Sequence, residues 1–520
     1  MEENQLNSNQ KLKNINIEKK IIVILPLIFL VALAIRFYHT PYGIPVILDG
    51  FLGYFLYALD ISILGHLPNY TLSQSGWPEF LSLFFMSFYS DNLIDYQNLQ
   101  RTISIVLSAS TVIPIYFICK KFFNNYYSLI GATIFAFEPK IIINSILGVS
   151  EPIYILAITL GILLFLNSNK KIIYSSFVFF ACATIIRPEG QFVFIAFSIV
   201  YFLRFRKNRK DLALYLICLS IFLLVLSPIV MHRIECCEND GIIGRIIIEL
   251  SNYNNKSIET NDQINTISYG PNYFNGIKLF GWSLIPIFVI FMPFGLIQIF
   301  KNLKFPNYLL IVIPSILSIP IIYSISIAPD TRYIYPIYPI FCIISLFGIR
   351  FIVNKFNNKK LIVSIIIISI ILSSIVYLDF KKTDYSNDNE IHEIGKLLLN
   401  DVKGVNKSQE IGKFFKVIQI ENRWPITESN GKLSSSLKIN LLAPEDFTSL
   451  KEFIKFGERN GLSHLIIDND KSTPDFFINV FNNEKKYEYL IKEFDSQEQG
   501  YDYHVKKFRI NYEIFQNQKN

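Results

Sequence analysis

The chain has 520 residues, of which 51% are hydrophobic and 18% are charged, and its mean hydropathy is +0.35. These values exclude an ordinary soluble protein, because soluble domains carry about 25% charged residues and a smaller apolar share. The net charge of +7 comes from Lys and Arg in short runs between apolar stretches. That pattern is typical of membrane topology, and we expect no nucleic-acid partner.

Eleven apolar stretches follow a polar N-terminal tail, and most approach the length that crosses about 30 Å of hydrocarbon. In chain order they are Ile21–Phe37, Thr102–Ile118, Tyr127–Ile143, Pro152–Leu166, Ile172–Ile186, Phe192–Leu203, Leu212–Met231, Ile277–Phe300, Tyr308–Ala328, Tyr333–Phe351 and Leu361–Leu378. The first stretch ends without a small-residue cleavage site, so we interpret it as a retained span. The sequence therefore predicts about eleven transmembrane helices.

The basic residues between these stretches predict the orientation of the chain. If the spans alternate, the following all fall on the side of the N-terminus: Lys19/Lys20, Lys120/Lys121, Lys170/Lys171, Arg204–Lys210, Lys301/Lys304 and Lys355/Lys359/Lys360. Lys and Arg concentrate in cytoplasmic loops, so that side is predicted to be cytoplasmic. We expect an integral plasma-membrane protein with a cytoplasmic tail (1–20), a transmembrane domain (21–379) and an extracytoplasmic domain (380–520).

Two of the predicted outer segments have structure of their own. In the first outer loop, Val46–Leu64 and Phe80–Tyr89 are apolar but short, which predicts helices lying in the membrane interface; a further pair of spans is the alternative and leaves the later orientation unchanged. Residues 380–520 predict a small α/β domain. Its expected strands are Phe415–Ile420 and His464–Ile467, and its expected helices are Asn389–Leu399 and Asp446–Phe456.

Acidic and basic residues gather at the predicted outer ends of the spans. They are Asp49, Glu138, Glu151, Arg187, Glu189, Asp330 and Arg332. Inserting a charged residue at the centre of a membrane helix costs about 2.5 to 3.5 kcal/mol, so charged residues in or beside such helices are expected to have a specific role. Taken singly, each has a structural alternative: capping of a turn for Asp49, an interfacial position for the glutamates, and snorkelling for the arginines.

Together, these residue types suit transfer from a phosphate-bearing lipid. A carboxylate can accept the proton of an attacking hydroxyl, for which we predict Asp49 with support from Glu151. A guanidinium can neutralise a departing phosphate through a forked contact, for which we predict Arg332 and Arg187. Glu138, Glu189, Asp330 and Tyr333 are candidates of second rank.

At these residues the chain resembles the C superfamily of membrane glycosyltransferases, which includes protein O-mannosyltransferases, aminoarabinose transferases of lipid A and oligosaccharyltransferase catalytic subunits. The resemblance covers the architecture of the whole chain and four local features. These are an acid in a long first outer loop (Asp49), Ser150-Glu151-Pro152, Arg187-Pro188-Glu189-Gly190, and Arg332-Tyr333 followed by Pro336 and Pro339.

The resemblance implies a polyprenyl-phosphate sugar donor, such as dolichyl or undecaprenyl phosphate, and a protein, lipid or glycan acceptor. It also implies an outward-facing site and inversion at the anomeric carbon. The metal requirement stays open: an oligosaccharyltransferase-like enzyme would hold Mg²⁺ or Mn²⁺ between acids such as Asp49 and Glu151, whereas a mannosyltransferase-like enzyme would not.

Two other classes of protein fit parts of the pattern. A transporter or flippase of a lipid-linked or small anionic substrate also places charged residues at span ends. A scaffold would use the spans as an anchor for its outer domain, although eleven spans are many for that purpose.

Overall fold

The computed structural model describes residues 21–46, 49–68, 72, 74–90, 93–206, 209–237, 273–327, 330–382, 385–400, 407–409, 428–429, 432–433, 440–442, 447–469 and 473–517. By contacts, the chain divides into two compact units. The first, the helical unit, comprises Met1–Thr40, Asp49–Phe88 and Leu99–Lys382. The second, the C-terminal unit, comprises Thr383–Asn520 together with Pro41–Leu48 and Tyr89–Asn98 from the first outer loop.

Helices build the first unit almost entirely. They are α1 (Ile21–Tyr38), a π-helical turn (Asp49–Phe55), α2 (Leu56–Leu64), α3 (Gly76–Phe85), α4 (Leu93–Ser110), α5 (Val112–Cys119), α6 (Asn125–Ala136), α7 (Pro139–Ser145), α8 (Glu151–Phe165), α9 (Lys170–Ile186), α10 (Gly190–Phe205), α11 (Arg209–Ala213), α12 (Tyr215–Cys237), α13 (Tyr273–Ser283), α14 (Phe288–Phe300), α15 (Leu309–Ile327), a 3₁₀ segment (Thr331–Ile337), α16 (Tyr338–Val353) and α17 (Lys359–Phe380). The first six residues of α4 fall in the C-terminal unit.

Several of these helices are long and apolar enough to cross a membrane. Within the described ranges there are five such helices or continuous pairs, Ile21–Tyr38, Leu93–Cys119, Arg209–Glu235, Thr331–Val353 and Lys359–Phe380, and the number rises to seven if each of two bent pairs is one span. Each predicted stretch coincides with a helix or a pair of helices. The count of eleven spans remains a prediction, because α8, α10 and α15 are shorter apolar helices. The orientation of the chain also remains a prediction.

The two bent pairs are not evident from hydropathy alone. The chain turns by 52° between α6 and α7 and by 95° between α13 and α14. Pro139 begins α7, and Pro286 lies in the second break. Proline has no N–H to donate and disfavours helix in the residue before it, so it marks both interruptions.

Glycines allow α14 and α16 to approach closely. A Cβ atom on Gly295 would lie 1.9 Å from the carbonyl oxygen of Ile344, and one on Gly348 would lie 2.1 Å from that of Phe291. Small residues of this kind bring membrane helices into backbone contact. This packing holds α16 in place, and α16 continues the 3₁₀ segment that carries Arg332 and Tyr333.

The C-terminal unit contains a five-stranded mixed sheet with the order β4-β1-β5-β7-β6 and a separate two-stranded sheet of β2 and β3. Its elements are α18 (Ser386–Asn400), β1 (Lys407–Gln409), β2 (Glu428–Ser429), β3 (Lys432–Leu433), β4 (Asn440–Leu442), α19 (Leu450–Arg459), β5 (His464–Asp468), α20 (Asp475–Asn482), β6 (Leu490–Asp495), β7 (Val505–Ile510) and α21 (Tyr512–Asn517). β1 pairs in parallel with β4 and β5, whereas β7 is antiparallel to β5 and β6.

These elements agree with the α/β character predicted from the sequence. β5 covers the predicted strand His464–Ile467, and α18 covers the predicted helix Asn389–Leu399. The helix predicted over Asp446–Phe456 begins later, at Leu450, because the side chain of Ser449 accepts the backbone N–H of Glu452 and caps it. The predicted strand Phe415–Ile420 lies outside the described residues.

Candidate active site around Arg187

Arg187 and Glu151 form a buried ion pair where α8 begins and α9 ends. Nη1 of Arg187 donates to Oε1 of Glu151 at 2.6 Å, and both residues are buried. Hydrogen bonds between ionised partners are shorter and stronger than neutral ones. Glu151 is the first residue of α8 and is followed by Pro152, a favoured residue at a helix start, so its carboxylate lies near the positive end of the helix dipole.

The Arg-Pro-Glu-Gly sequence explains why helix α9 ends at Arg187. Arg187 is extended, with φ −145° and ψ 131°, as expected for a residue before proline, and α9 ends there. Gly190 begins α10, where a Cβ atom would lie 2.5 Å from the backbone nitrogen of Thr184. Only glycine permits that approach, so the motif makes a tight corner with the guanidinium group on its inside.

The second edge of the guanidinium group is held less firmly. Nε and Nη2 of Arg187 each lie 3.4 Å from a carboxylate oxygen of Glu189, and that carboxylate side chain is 30% exposed. The guanidinium carbon is also 5.5 Å from the ring centroid of Tyr333 and 6.0 Å from that of Tyr154. Arg187 therefore makes one short ion pair, with Glu151. Its Nε and Nη2 atoms, the fork of the guanidinium group, make only long contacts with Glu189.

A small pocket, with a volume of about 20 Å³, opens beside this fork. Its lining combines polar groups at one end with an apolar wall: Tyr154, Arg187, Glu189, Leu317, Pro320, Ile321, Tyr333 and Pro336. The apolar wall comes from α15 and the 3₁₀ segment. Among the residues predicted from the sequence, Arg187, Glu189 and Tyr333 line this pocket, and Glu151 contacts Arg187 without lining it.

Asp330 and Arg332 form an ion pair next to Tyr333 in the chain. Oδ1 of Asp330 accepts the backbone N–H of Arg332 at 2.8 Å, and Nε of Arg332 donates to Oδ2 of Asp330. Asp330 thereby caps the 3₁₀ segment. The Arg332 side chain is 24% exposed, so it is more accessible to a ligand than Arg187.

Asp49 opens the π-helical turn, and its side chain lies outside what the structure describes. Its chain neighbour Gly50 is tied to the loop before α8, because Nε2 of Gln100 donates to the carbonyl oxygens of both Gly50 and Gly148. Nε1 of Trp77 also donates to Gly148. The first outer loop and the loop that leads to Glu151 are therefore joined through one glutamine.

A second link connects these two loops. The hydroxyl of Tyr54 lies 3.1 Å from Oγ of Ser150, the residue before Glu151, and it donates to Oε1 of Gln74. Neither Gln100 nor Gln74 was predicted from the sequence. A neutral amide inside or beside an apolar helix is a weak signal, and its partners lie about 20 to 50 residues away along the chain.

Glu138 is not among the residues that line the pocket. It lies at the break between α6 and α7 and is fully buried, and neither of its carboxylate oxygens has a hydrogen-bond partner among the described residues. Nearby Lys140 donates to the carbonyl oxygens of Trp282, Ser283 and Ile285 at the end of α13. This lysine, which no sequence pattern indicated, satisfies carbonyls at the second helix break.

Two further buried arginine side chains were not predicted from the sequence. Arg36 in α1 donates to Oγ of Ser108 and to the carbonyl oxygens of Ala32 and Ala136. Arg233 in α12 donates to Oγ of Ser75 at 2.8 Å. Arg36 lies inside a predicted span, which was the available signal because a buried basic residue must find internal partners, whereas Arg233 lies two residues after the predicted span Leu212–Met231.

The described side chains do not make a metal site by themselves. No group of three His, Cys, Asp or Glu residues that could hold a metal ion occurs among them. Oε2 of Glu151 is buried and has no hydrogen-bond partner in the part of the chain that is described, but Oε1 is already paired with Arg187. Hard cations such as Mg²⁺ take about six oxygen ligands, so one free carboxylate oxygen does not suffice.

No protein-family model matches the chain, and no curated protein matches its sequence. Solved structures do match. The archaeal oligosaccharyltransferase AglB from Archaeoglobus fulgidus, in complex with an inhibitory peptide and a dolichol-phosphate, is 11% identical with a TM-score of 0.55, over 92% of this chain and 73% of that one. The A. fulgidus oligosaccharyltransferase in complex with Zn and sulfate is 12% identical with a TM-score of 0.53, over 91% of this chain and 71% of that one.

A second group of similar structures is bacterial. ArnT from Cupriavidus metallidurans, bound to undecaprenyl phosphate, is 10% identical with a TM-score of 0.59, and the match covers 93% of this chain and 97% of that one. AglB and ArnT both belong to the C superfamily, so the resemblance predicted from the local motifs is confirmed at the level of the fold. The chain therefore shares its fold with AglB and ArnT.

Proposed function

We propose that this protein is a membrane glycosyltransferase that moves a sugar from a polyprenyl-phosphate donor to a protein, lipid or glycan acceptor on the extracytoplasmic face. Support comes from the fold, which it shares with an AglB structure containing a dolichol-phosphate and an ArnT structure containing undecaprenyl phosphate. The sugar, the acceptor and the length of the carrier are not specified by the fold.

The observation that carries the proposal is the pocket beside Arg187. A polyprenyl phosphate has an anionic head and an apolar tail, and the lining of the pocket has the same division, although its volume of about 20 Å³ means that it must widen when the carrier binds. Arg187 lies at its polar end, whereas Leu317, Pro320 and Ile321 form its apolar wall. Because the contacts from Nε and Nη2 to Glu189 are long, phosphate oxygens can replace them in a forked contact.

In the proposed reaction, the acceptor hydroxyl oxygen bonds to the anomeric carbon while the bond from that carbon to the donor phosphate oxygen breaks on the opposite side. Attack from the opposite side inverts the anomeric configuration. Asp49 accepts the hydroxyl proton, and the electron pair of the broken bond leaves with the phosphate. Arg332 and the edge of Arg187 that makes only long contacts with Glu189 stabilise the charge that develops there.

Glu151 acts in this scheme chiefly through Arg187. Its short ion pair fixes the guanidinium plane, so that the fork faces the pocket before the donor arrives. Preorganised groups of this kind stabilise a transition state without paying for reorientation during the reaction. Oε2 of Glu151, which has no hydrogen-bond partner among the described residues, would be available to an acceptor hydroxyl or to a metal held together with Asp49.

The test is turnover of a labelled donor. Purified protein is supplied with undecaprenyl or dolichyl phosphate carrying a radiolabelled sugar, and release of the sugar is followed for the wild type, Asp49→Asn and Arg332→Ala. We expect a loss of at least about 100-fold in each variant, the magnitude typical of a removed general base or charge stabiliser. Unchanged turnover in both variants, with normal folding, would contradict these assignments.

A flippase of a lipid-linked substrate is the second candidate, because a pocket for a lipid phosphate suits a translocated lipid as well. A flippase would move the intact labelled donor between the leaflets of a reconstituted vesicle without releasing the sugar, and this result would distinguish it from a glycosyltransferase.

A further inference from the structure

A second pocket lies at the other end of the helical unit. It has a volume of about 400 Å³ and is lined by residues of the turn between α5 and α6, the end of α16 and the start of α17: Phe122, Phe123, Asn124, Tyr127, Arg350, Asn354 and Lys359. We refer to it as the basic recess. The proposed transfer reaction does not use it.

The helices place the basic recess far from Arg187. Tyr333, which contacts Arg187, lies in the 3₁₀ segment just before α16, whereas Arg350 and Asn354 lie at the opposite end of α16. α16 has 16 residues, so the two ends are separated by about 24 Å at 1.5 Å per residue. That distance approaches the thickness of the hydrocarbon core, and the recess therefore belongs to the opposite membrane face.

The sequence around the basic recess is entirely basic in its charge. Residues 102–137 and 333–378, which contribute its walls, contain six Lys or Arg residues and no Asp or Glu. The six are Lys120, Lys121, Arg350, Lys355, Lys359 and Lys360. All six lie at this end of their helices, so an anion here meets attraction from several cations and repulsion from no nearby carboxylate of these segments.

Aromatic side chains of the basic recess pack against one another and against α16. The ring of Phe123 packs edge-on against Phe347 of α16, with 4.7 Å between ring centroids, and is tilted against Tyr127, with 6.1 Å between centroids. Asn124 accepts the backbone N–H of Tyr127 and caps α6. Exposed Phe117 and Tyr126 flank these groups and offer apolar surface to neighbouring acyl chains.

We infer that the basic recess binds the headgroup of an anionic phospholipid of the leaflet opposite the transfer site. Arg350 and Lys359 provide the cations for the phosphate, and the aromatic side chains provide the interfacial contacts. Basic pockets between membrane helices take such headgroups, and each Lys or Arg near an anionic surface adds to the attraction. The inference requires that the helical unit spans a membrane but does not depend on sugar transfer.

The test measures lipid retention by the full-length protein. Wild type and the double variant Arg350→Gln/Lys359→Gln are reconstituted in nanodiscs of phosphatidylcholine with or without phosphatidylglycerol, and native mass spectrometry counts the phosphatidylglycerol molecules that remain bound after detergent release. We expect the double variant to bind phosphatidylglycerol about 10- to 30-fold more weakly. Phosphatidylcholine retention should not change.

Two control variants distinguish lipid binding in the basic recess from a general effect of positive charge. Lys301→Gln/Lys304→Gln removes the same charge from exposed lysines that do not line the recess, and it should retain the lipid. Arg350→Lys/Lys359→Arg keeps the charge and should bind within a few-fold of wild type. Equal retention by the wild type and the Arg350→Gln/Lys359→Gln variant would overturn the inference, as would equally tight binding of free glycerol phosphate, which would assign the recess to a soluble anion.

Discussion

Arg187 is buried against two glutamates that hold it unequally. Glu151 is at 2.6 Å, whereas both contacts with Glu189 are 3.4 Å long. A hydrogen bond to a charged group contributes about 1.5 to 3 kcal/mol to stability, and long contacts contribute less. Glu151 is therefore the partner that holds the arginine, and Glu189 is the one that a ligand can displace.

From this difference we predict that Glu151→Gln lowers the thermal stability of the protein and its sugar turnover together. The loss of stability should be about 3 to 5 kcal/mol, because Arg187 stays buried with its strongest partner neutralised. Differential scanning fluorimetry and the labelled-donor assay measure the two effects. Glu189→Gln is the matched control, and a larger loss of stability in that variant would contradict the assigned roles.

His392 in α18 makes the C-terminal unit sensitive to acid. Burial, with a smaller effect of Lys396, lowers the pKa of His392 to about 4 from 6.5. The unfolded chain therefore binds the proton more readily than the folded chain does, and folding stability falls as the pH decreases from about 6.5 towards 4. At about pH 5 the loss is about 2 kcal/mol.

Hydrogen exchange of α18 measures this effect. After correction for the intrinsic pH dependence of exchange, amides of α18 should exchange faster at about pH 5 than at about pH 7.5 in the wild type. His392→Gln, which cannot take up the proton, should lose most of this difference. An equal pH response in the variant would mean that other groups cause it.

At the scale of elements, α14 and α16 depend on glycine for their packing. Gly348→Ala would place a methyl group 2.1 Å from the carbonyl oxygen of Phe291, so we expect a loss of at least about 1 to 3 kcal/mol from overpacking. Gly281→Ala in α13 meets no atom within 4 Å and should be neutral or slightly stabilising. Thermal unfolding of the two variants compares them, and equal midpoints would show that the helices can separate at no cost.

Hydropathy predicted where the helices of the first unit lie, because each long apolar stretch must bury its backbone polar groups in helix. It could not predict the 95° turn before α14, since the carbonyls at that break are satisfied by Lys140, more than 140 residues away in the chain. Local motifs selected Glu151 and Arg187 individually. Only the fold shows which acid holds which arginine.

The same distinction applies to the first outer loop. Asp49 was predicted from its residue type and its position in the loop, and its role remains a proposal. The bridge from Gln100 to Gly50 and Gly148 depends on contacts about 50 residues apart, which no local pattern specifies. Long-range hydrogen bonds between loops are thus the part of the site that sequence reasoning misses.

For the whole molecule, the proposed site requires a defined orientation in the membrane. The basic clusters predict that the N-terminus is cytoplasmic and that the C-terminal unit lies outside. Epitope tags at the two ends of the 520-residue chain test this in intact cells: an antibody should reach the C-terminal tag directly and the N-terminal tag only after permeabilisation. The reverse pattern would place the pocket beside Arg187 in the cytoplasm and contradict an extracytoplasmic reaction.

Mass spectrometry of the lipid that copurifies with the protein tests most directly whether the pocket beside Arg187 holds a polyprenyl phosphate. We predict that the wild type carries such a lipid, that Arg187→Met loses it, and that the exposed control Lys301→Met keeps it. Ile321→Asp, which alters only the apolar wall, should lose it as well. Equal amounts of polyprenyl phosphate in the folded wild type, Arg187→Met and Ile321→Asp proteins would contradict the proposed site.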